Sequence, residues 1–125
     1  MSTWAVDTLS RIASSDDFHV APFREDGATP GTAIWVWSAV VDDHVFERSS
    51  KAGSRWFAAA VNTGGGLVSS ARYSGGVIFE LVVDETMKDR VDQAFKAKYE
   101  TDPFYLDSML ENSRHQIAQV SPRSQ

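Results

Sequence analysis

Residues 48–57 read Arg-Ser-Ser-Lys-Ala-Gly-Ser-Arg-Trp-Phe. Arg48, Lys51 and Arg55 bring cations to this short stretch, and Ser49, Ser50 and Ser54 bring hydroxyls. These are the groups that grip a phosphate. An arginine fork donates parallel hydrogen bonds, a hydroxyl donates one more, and the N–H groups of a helix start add theirs. No Asp or Glu occurs between Arg48 and Phe79, although the chain carries 17 acidic residues against 12 Lys and Arg and a net charge of −5. The stretch is a basic island on an acidic protein. It is either an anion site or a solvated basic face. Trp37 and Trp56, with Trp35, could add flat faces that stack on a conjugated ligand, or could simply pack in a core or an interface.

Three residues are candidates for acid–base work. Glu47 lies within a strand pattern, where it faces either a barrel interior or water. His44 sits beside a turn. Tyr99 ends the longest helix pattern. His19, His44 and His115 lack ligand spacing, so no metal site is expected. Asp16-Asp17 and Asp42-Asp43 read as turn residues, because catalytic paired carboxylates need an apolar pocket to separate their pKa values. Gly64-Gly65-Gly66 follows a helix pattern and no Lys-Ser/Thr comes after it, so it reads as a helix stop and not a phosphate loop.

The elements that must position these groups follow from periodicity. Residues 4–14 predict a helix capped by Asp7, with Leu9, Ile12 and Ala13 on one face. Residues 18–23 predict a strand ending at Pro22. Residues 24–32 hold Asp26-Gly27, Pro30 and Gly31, which is turn chemistry. Residues 33–41 read as the strongest strand, apolar on both faces. It forms a hairpin with 44–49 through Asp42-Asp43, in a register pairing Val41 with His44, Ala39 with Phe46 and Trp37 with Arg48. That register puts Trp37, Phe46 and Arg48 in one patch. Residues 54–61 predict a helix with Ser54 as N-cap. Residues 67–73 and 77–83 predict a second hairpin around Ser74-Gly75-Gly76. Residues 84–100 predict the longest helix, capped by Asp84 or Thr86, with Met87, Val91, Ala94, Phe95 and Tyr99 as its buried stripe. A short helix at 105–112 and a strand at 115–121 complete the chain.

The 125 residues suit one domain, 1–125. The pattern predicts a mainly β, α+β fold, a small antiparallel barrel carrying helices. The chain has no cysteine, which excludes disulfides and thiolate chemistry and fits a cytoplasmic location. The first residues lack a basic segment followed by an apolar one, so no signal peptide is expected. The longest apolar run is too short to cross a bilayer. With the acidic balance, neither nucleic acid nor a membrane is an expected partner.

Several short motifs carry a family resemblance over nearly the whole chain. They are Asp26-Gly27, Trp35-Val36-Trp37, Phe46-Glu47-Arg48-Ser49, Gly53-Ser54-Arg55-Trp56-Phe57, the valine-rich hairpin to Val83, and Phe95-Lys96-Ala97-Lys98-Tyr99. Their order resembles an uncharacterised bacterial family of short proteins related to the deazaflavin-dependent nitroreductases, within the flavin-binding split-barrel superfamily. The resemblance implies a six-stranded antiparallel split β-barrel with flanking helices that forms a homodimer. It places a small-molecule ligand at the dimer interface, FMN or a deazaflavin, or no cofactor at all. The phosphate falls to positions matching Arg48, Ser49, Ser54, Arg55 and Trp56, and the loop around 29–32 approaches the ring. The chain departs from the pattern in carrying Gly53-Ser54-Arg55 where many deazaflavin enzymes have a more basic loop with Asn-Pro. The functions left open are a flavin- or deazaflavin-dependent oxidoreductase, a cofactor-free biosynthetic enzyme using the same cleft, and a non-enzymatic dimeric binding module.

Overall fold

A computed structural model describes residues 3–49, 55–70, 73–100, 110–111 and 113–123. Helix α1 spans Val6–Ser14, followed by strands β1 (Phe18–Pro22), β2 (Ile34–Trp35), β3 (Ser38–Val41) and β4 (His44–Arg48). Then come α2 (Arg55–Thr63), β5 (Gly65–Ser70), β6 (Tyr73–Leu81), α3 (Glu85–Lys98) and β7 (Ile117–Pro122). The strands form one antiparallel sheet in the order β2-β1-β5-β6-β7-β4-β3. This is the expected antiparallel split barrel with flanking helices, in seven strands and not six.

The extra strand comes from residues 33–41. The single strand expected there is two. β2 pairs with β1 at one edge of the sheet, and β3 pairs with β4 at the other. Val36 and Trp37 carry the chain between the edges, and the Val36 N–H donates to the Phe18 carbonyl at 2.9 Å. The continuous apolar run hides this break, although its halves differ: Trp35 of β2 is exposed, while Ser38, Ala39 and Val41 of β3 are buried. The hairpin register is as expected at Val41 opposite His44 and Ala39 opposite Phe46, but the ladder ends at Ser38 opposite Glu47, before the expected Trp37–Arg48 pair. Asp42 and Asp43 take φ values of 49° and 66°. Two successive left-handed residues make the mirror-image turn that matches strand twist, and Asp tolerates it better than most residues.

The sheet separates two apolar clusters. The first lies inside the barrel and includes Phe18, Val20, Val45, Val68, Val77, Phe79 and Val120, with Leu9 and Ile12 from α1 and Ala60 from α2. The second lies between α3 and the opposite face of β3, β4 and β7. It joins Trp37, Ala39, Val41, Phe46 and Ile117 to Val91 and Phe95. The expected α3 stripe is the observed one, with Met87, Ala94 and Tyr99 at its margin. Asp84 caps α3, its carboxylate accepting from the Met87 N–H at 2.9 Å. Among the described residues no helix is long and apolar enough to cross a membrane.

Three local expectations need correction. Helix α1 begins at Val6 behind Ala5, with no side-chain cap; Asp7 lies in its first turn, and Ala13 is exposed. Burying Leu9 and Ile12, at about 1.5–3 kcal/mol each, outweighs a missing cap of about 1 kcal/mol. Of the glycine run, Gly64 alone ends α2, at φ +74°, while Gly65 and Gly66 already belong to β5. A Cβ on Gly66 would lie 2.6 Å from the Ala21 carbonyl oxygen and 2.7 Å from the Pro22 Cα, so close strand approach fixes that glycine. The second hairpin turns between Ser70 and Tyr73, which pair directly, and not at Ser74-Gly75-Gly76. Those three residues pair within β6, where the Tyr73 ring covers Gly75. The short helix expected at 105–112 falls mostly outside the described residues.

Candidate functional site

Strand alternation sends Glu47 to the barrel interior and Phe46 and Arg48 to the α3 side. Arg48 is 1% exposed. Its Nη1 donates to Asp92 Oδ1 at 2.6 Å, its Nε to Ser113 Oγ at 2.8 Å and its Nη2 to the Leu110 carbonyl at 3.2 Å. The guanidinium also lies 5.2 Å from the centre of the Phe95 ring. Burial lowers its pKa, and the Asp92 carboxylate opposes that shift. Arg114 completes the network by donating to Asp92, Asp89 and Glu85, and the Asp89 and Asp92 bonds raise its pKa. Arg48, expected on a phosphate, is therefore an internal tie between β4, α3 and the segment before β7. The patch it shares with Trp37 and Phe46 exists, but α3 covers it.

Ser49 is buried behind Arg48, and its N–H donates to the Gln116 carbonyl at 3.1 Å. Lys51 and Ser54 lie outside the described residues. Arg55 opens α2 and is exposed, with no ion pair among the described residues. It borders a cleft of about 470 Å³ whose wall includes Ala59, Asn62 and Glu25. Glu25 belongs to the 24–32 loop, but residues 29–32, the part expected to approach a ring, do not line this cleft. The loop is held by Asp26, whose carboxylate accepts from the Ala28 and Thr29 N–H groups at 2.9 and 2.8 Å. With the Thr29 hydroxyl, these bonds lower its pKa to about 2. Trp56 is half-buried against the barrel core and meets Phe57 edge-on at 5.7 Å.

A second, larger cleft of about 790 Å³ lies between the C-terminal ends of α1 and α3. Tyr99 borders it. The Tyr99 ring stacks on Trp37 at 4.1 Å with an interplanar angle of 5°, which places Trp37 in packing and not on a ligand. The hydroxyl donates to the Ser38 carbonyl at 3.2 Å and accepts from the Ser38 N–H at 3.1 Å. Burial pushes the phenol up to about 12. Beside it, Lys98 Nζ donates to the Ile12 carbonyl at 2.9 Å and the Ser38 carbonyl at 2.8 Å. Burial lowers the amine to about 8, opposed by the Asp16 charge.

The other two acid–base candidates stand elsewhere. Glu47 is fully buried inside the barrel, and among the described residues neither carboxyl oxygen has a hydrogen-bond partner. Desolvation raises its pKa well above the ordinary 4.5. His44 is exposed on the β3–β4 hairpin. Glu47 and His44 border neither cleft, so the structure does not bring the three candidates together. Among the described residues no group of three or more His, Cys, Asp or Glu side chains is placed to hold a metal ion.

Ser38, Asp92 and Arg114 were not singled out by sequence reasoning, and Lys98 entered only through the resemblance of the motif ending at Tyr99, with no role assigned. Glu85, Asp89 and Asp92 are spaced four and three apart, so an acidic helix face was visible in the sequence. Nothing local showed that arginines distant in the chain would converge on it.

Comparison with solved structures agrees with the fold. The conserved hypothetical protein Rv2991 from Mycobacterium tuberculosis is similar with a TM-score of 0.68 at 17% identity, over 98% of this chain and 83% of that chain. The FAD and heme binding protein from Mycobacterium smegmatis is similar with a TM-score of 0.55 at 13% identity, over 98% and 73% of the two chains. At these identities the likeness is one of fold. No curated protein matches the chain. The bacterial family described as "Uncharacterized protein conserved in bacteria (DUF2255)" matches residues 8–119, and the chain belongs to that family.

Proposed function

We propose that this protein binds a phosphate-bearing aromatic cofactor, FMN or a deazaflavin, in the cleft that runs along α2 from Arg55, and works as a homodimeric flavin- or deazaflavin-dependent oxidoreductase. The observation that carries the reading is Arg55. It is a cation without an ion pair among the described residues, in the first turn of a helix, on a cleft shared with the 24–32 loop. A helix start favours anions, and an arginine fork matches a phosphate. Lys51 and Ser54, just upstream in sequence, belong to the same proposal. The fit is partial. The cationic end is supplied, but Trp37 is packed under α3 and Trp56 against the core, so the wall for a ring falls to a second copy. When bound, the cofactor supplies hydride chemistry, and the chain supplies binding, orientation and exclusion of water. A protein of the same fold is described as binding FAD and heme.

Titration of the purified protein with FMN, FAD and a deazaflavin, followed by their fluorescence, tests the reading. Binding of one of them is expected. Loss of a charge-assisted hydrogen bond makes Arg55→Ala weaken it about ten- to hundred-fold. No binding of any of the three overturns the proposal.

The second copy has a candidate surface. Leu67 and Ile78 are exposed and project from the same sheet face, opposite Gly76 and Gly65 respectively. The Phe23 ring covers Gly65 and the Arg123 side chain lies over Gly76, so the two apolar side chains themselves are what this face offers a partner. Sedimentation equilibrium is expected to give a dimer, and Ile78→Asp a monomer of unchanged circular dichroism. A monomeric wild type removes the interface from the reading.

A further inference from the structure

The cleft between α1 and α3 lies apart from the Arg55 site and carries its own chemistry. Lys98 stands at its inner side. Two of the ammonium hydrogens go to the Ile12 and Ser38 carbonyls, and Ser38 Oγ is farther off at 3.4 Å. Among the described residues the third hydrogen has only that long bond and the face of the Tyr99 ring, 5.4 Å from Nζ, so a carboxylate would be the stronger acceptor. No carboxylate of the described residues is in ion-pair contact with this partly buried cation, and burial destabilises its charge. A bound carboxylate would relieve that cost, because an opposite charge favours the ionised form.

Asp16 borders the same cleft. It acts on Lys98 through space but is not paired with it, so a gap separates the two charges. The Asp16 segment is held in place. Its carbonyl accepts from the Trp35 indole at 2.5 Å, and the Asp17 carbonyl accepts from Ser70 Oγ at 2.6 Å. The Ser15 N–H donates to the Ile12 carbonyl at 3.3 Å. Ser15 Oγ accepts from the Asp17 N–H at 3.0 Å, which leaves the hydroxyl proton available to a ligand. Ala39, Val40, Ala94 and Ala97 give the same cleft an apolar lining.

A simple carboxylate would be repelled by Asp16, and a simple amine by Lys98. A molecule carrying both charges and a short apolar group satisfies all three features. We propose that this cleft binds a small zwitterion, an α-amino acid with a short aliphatic side chain. Its carboxylate would sit on Lys98 and the Ser15 hydroxyl, its ammonium on Asp16 and its side chain on the apolar lining.

Calorimetric titration of the full chain with L-valine, isovalerate and isobutylamine tests this. Valine is expected to bind, while isovalerate, which lacks the ammonium, and isobutylamine, which lacks the carboxylate, each bind at least about ten-fold more weakly, as befits a lost charge pair. Asp16→Asn alters an exposed carboxylate and keeps the fold, so it isolates the ammonium contact; about ten-fold weaker valine binding is expected from it as well. Lys98→Met is expected to abolish binding. Since it also removes two ties to backbone carbonyls, a second measurement stands beside it. The Lys98 Cε resonance, titrated with and without valine, should report an amine moved upward from about 8. The proposal is overturned if valine does not bind, if isovalerate binds as tightly as valine, if Asp16→Asn has no effect, or if valine leaves the Lys98 titration unchanged. Flavin binding at Arg55 is tested separately, and either result can fail without the other.

Discussion

Replacing Arg48 with alanine is expected to cost about 3–5 kcal/mol of folding stability, the range for breaking a buried ion pair by removing one partner. The reason lies in what remains. Among the described residues Asp92, 18% exposed, would keep Arg114 as its ion-pair partner, and the Ser113 hydroxyl and Leu110 carbonyl would each lose the bond from Arg48. A cavity under the Phe95 ring adds to the loss. Arg48→Lys should rescue little, since one ammonium on a flexible stem cannot reproduce the planar fork that reaches three acceptors at once. Urea denaturation of Arg48→Ala, Asp92→Ala and the double variant checks this. The two single losses should combine to less than their sum, the mark of directly coupled residues. A wild-type midpoint for Arg48→Ala, accompanied by lost ligand binding, would instead return Arg48 to the ligand site.

That contrast shows how far the sequence could be read. The acid-free stretch after Arg48 correctly marked a break in the protein's charge. The hairpin register correctly placed Arg48 and Phe46 on one face, because side-chain alternation along a strand is strict; Trp37 joins that cluster from just before β3. The same register could not tell whether that face met a ligand or a helix. The acidic stripe Glu85, Asp89 and Asp92 was legible on α3, but its docking over β4 is a long-range event with no local signature. Lys98 was hidden for a related reason. A lysine in a last helical turn ordinarily reads as a solvated cation near the helix dipole. Only the return of α1 beside β3 supplies the carbonyls and the cleft that make it distinctive. The 33–41 segment misled in the opposite sense. Its continuous apolar character predicted one strand, whereas the closure of the barrel cuts it at Val36 and Trp37 so that it serves both edges of the sheet. By contrast, α3 was readable almost residue by residue. Its cap and its buried stripe are both set by helix geometry within one short segment.

Glu47 is expected to make the protein less stable as pH rises. The side chain shares its sheet face with Ser38 across β3 and with Ala118 across β7, on the side lined by Val45 and Val120. Among the described residues no cation offsets its charge there, and desolvation raises the pKa. An acid whose pKa is higher folded than unfolded binds more protons in the native state. Its favourable contribution is therefore fully present below the ordinary value of 4.5 and is lost progressively as pH rises from there toward the folded value. Within that window the loss is about 1.4 kcal/mol per pH unit. Glu47→Gln keeps the shape and cannot ionise, so the difference between its denaturation free energy and that of wild type should vanish below 4.5 and grow with pH above it. Glu47→Leu removes the unpaired oxygens as well and should stabilise even the acidic form, by about 1–3 kcal/mol, the cost of an unsatisfied buried polar group. Parallel pH profiles for wild type and Glu47→Gln would mean that the carboxyl finds water or a partner inside the barrel. The same experiment bears on catalysis. A Glu47 that acts as a base must ionise in the folded protein, and a stability profile that keeps falling with pH measures how strongly this barrel opposes that ionisation.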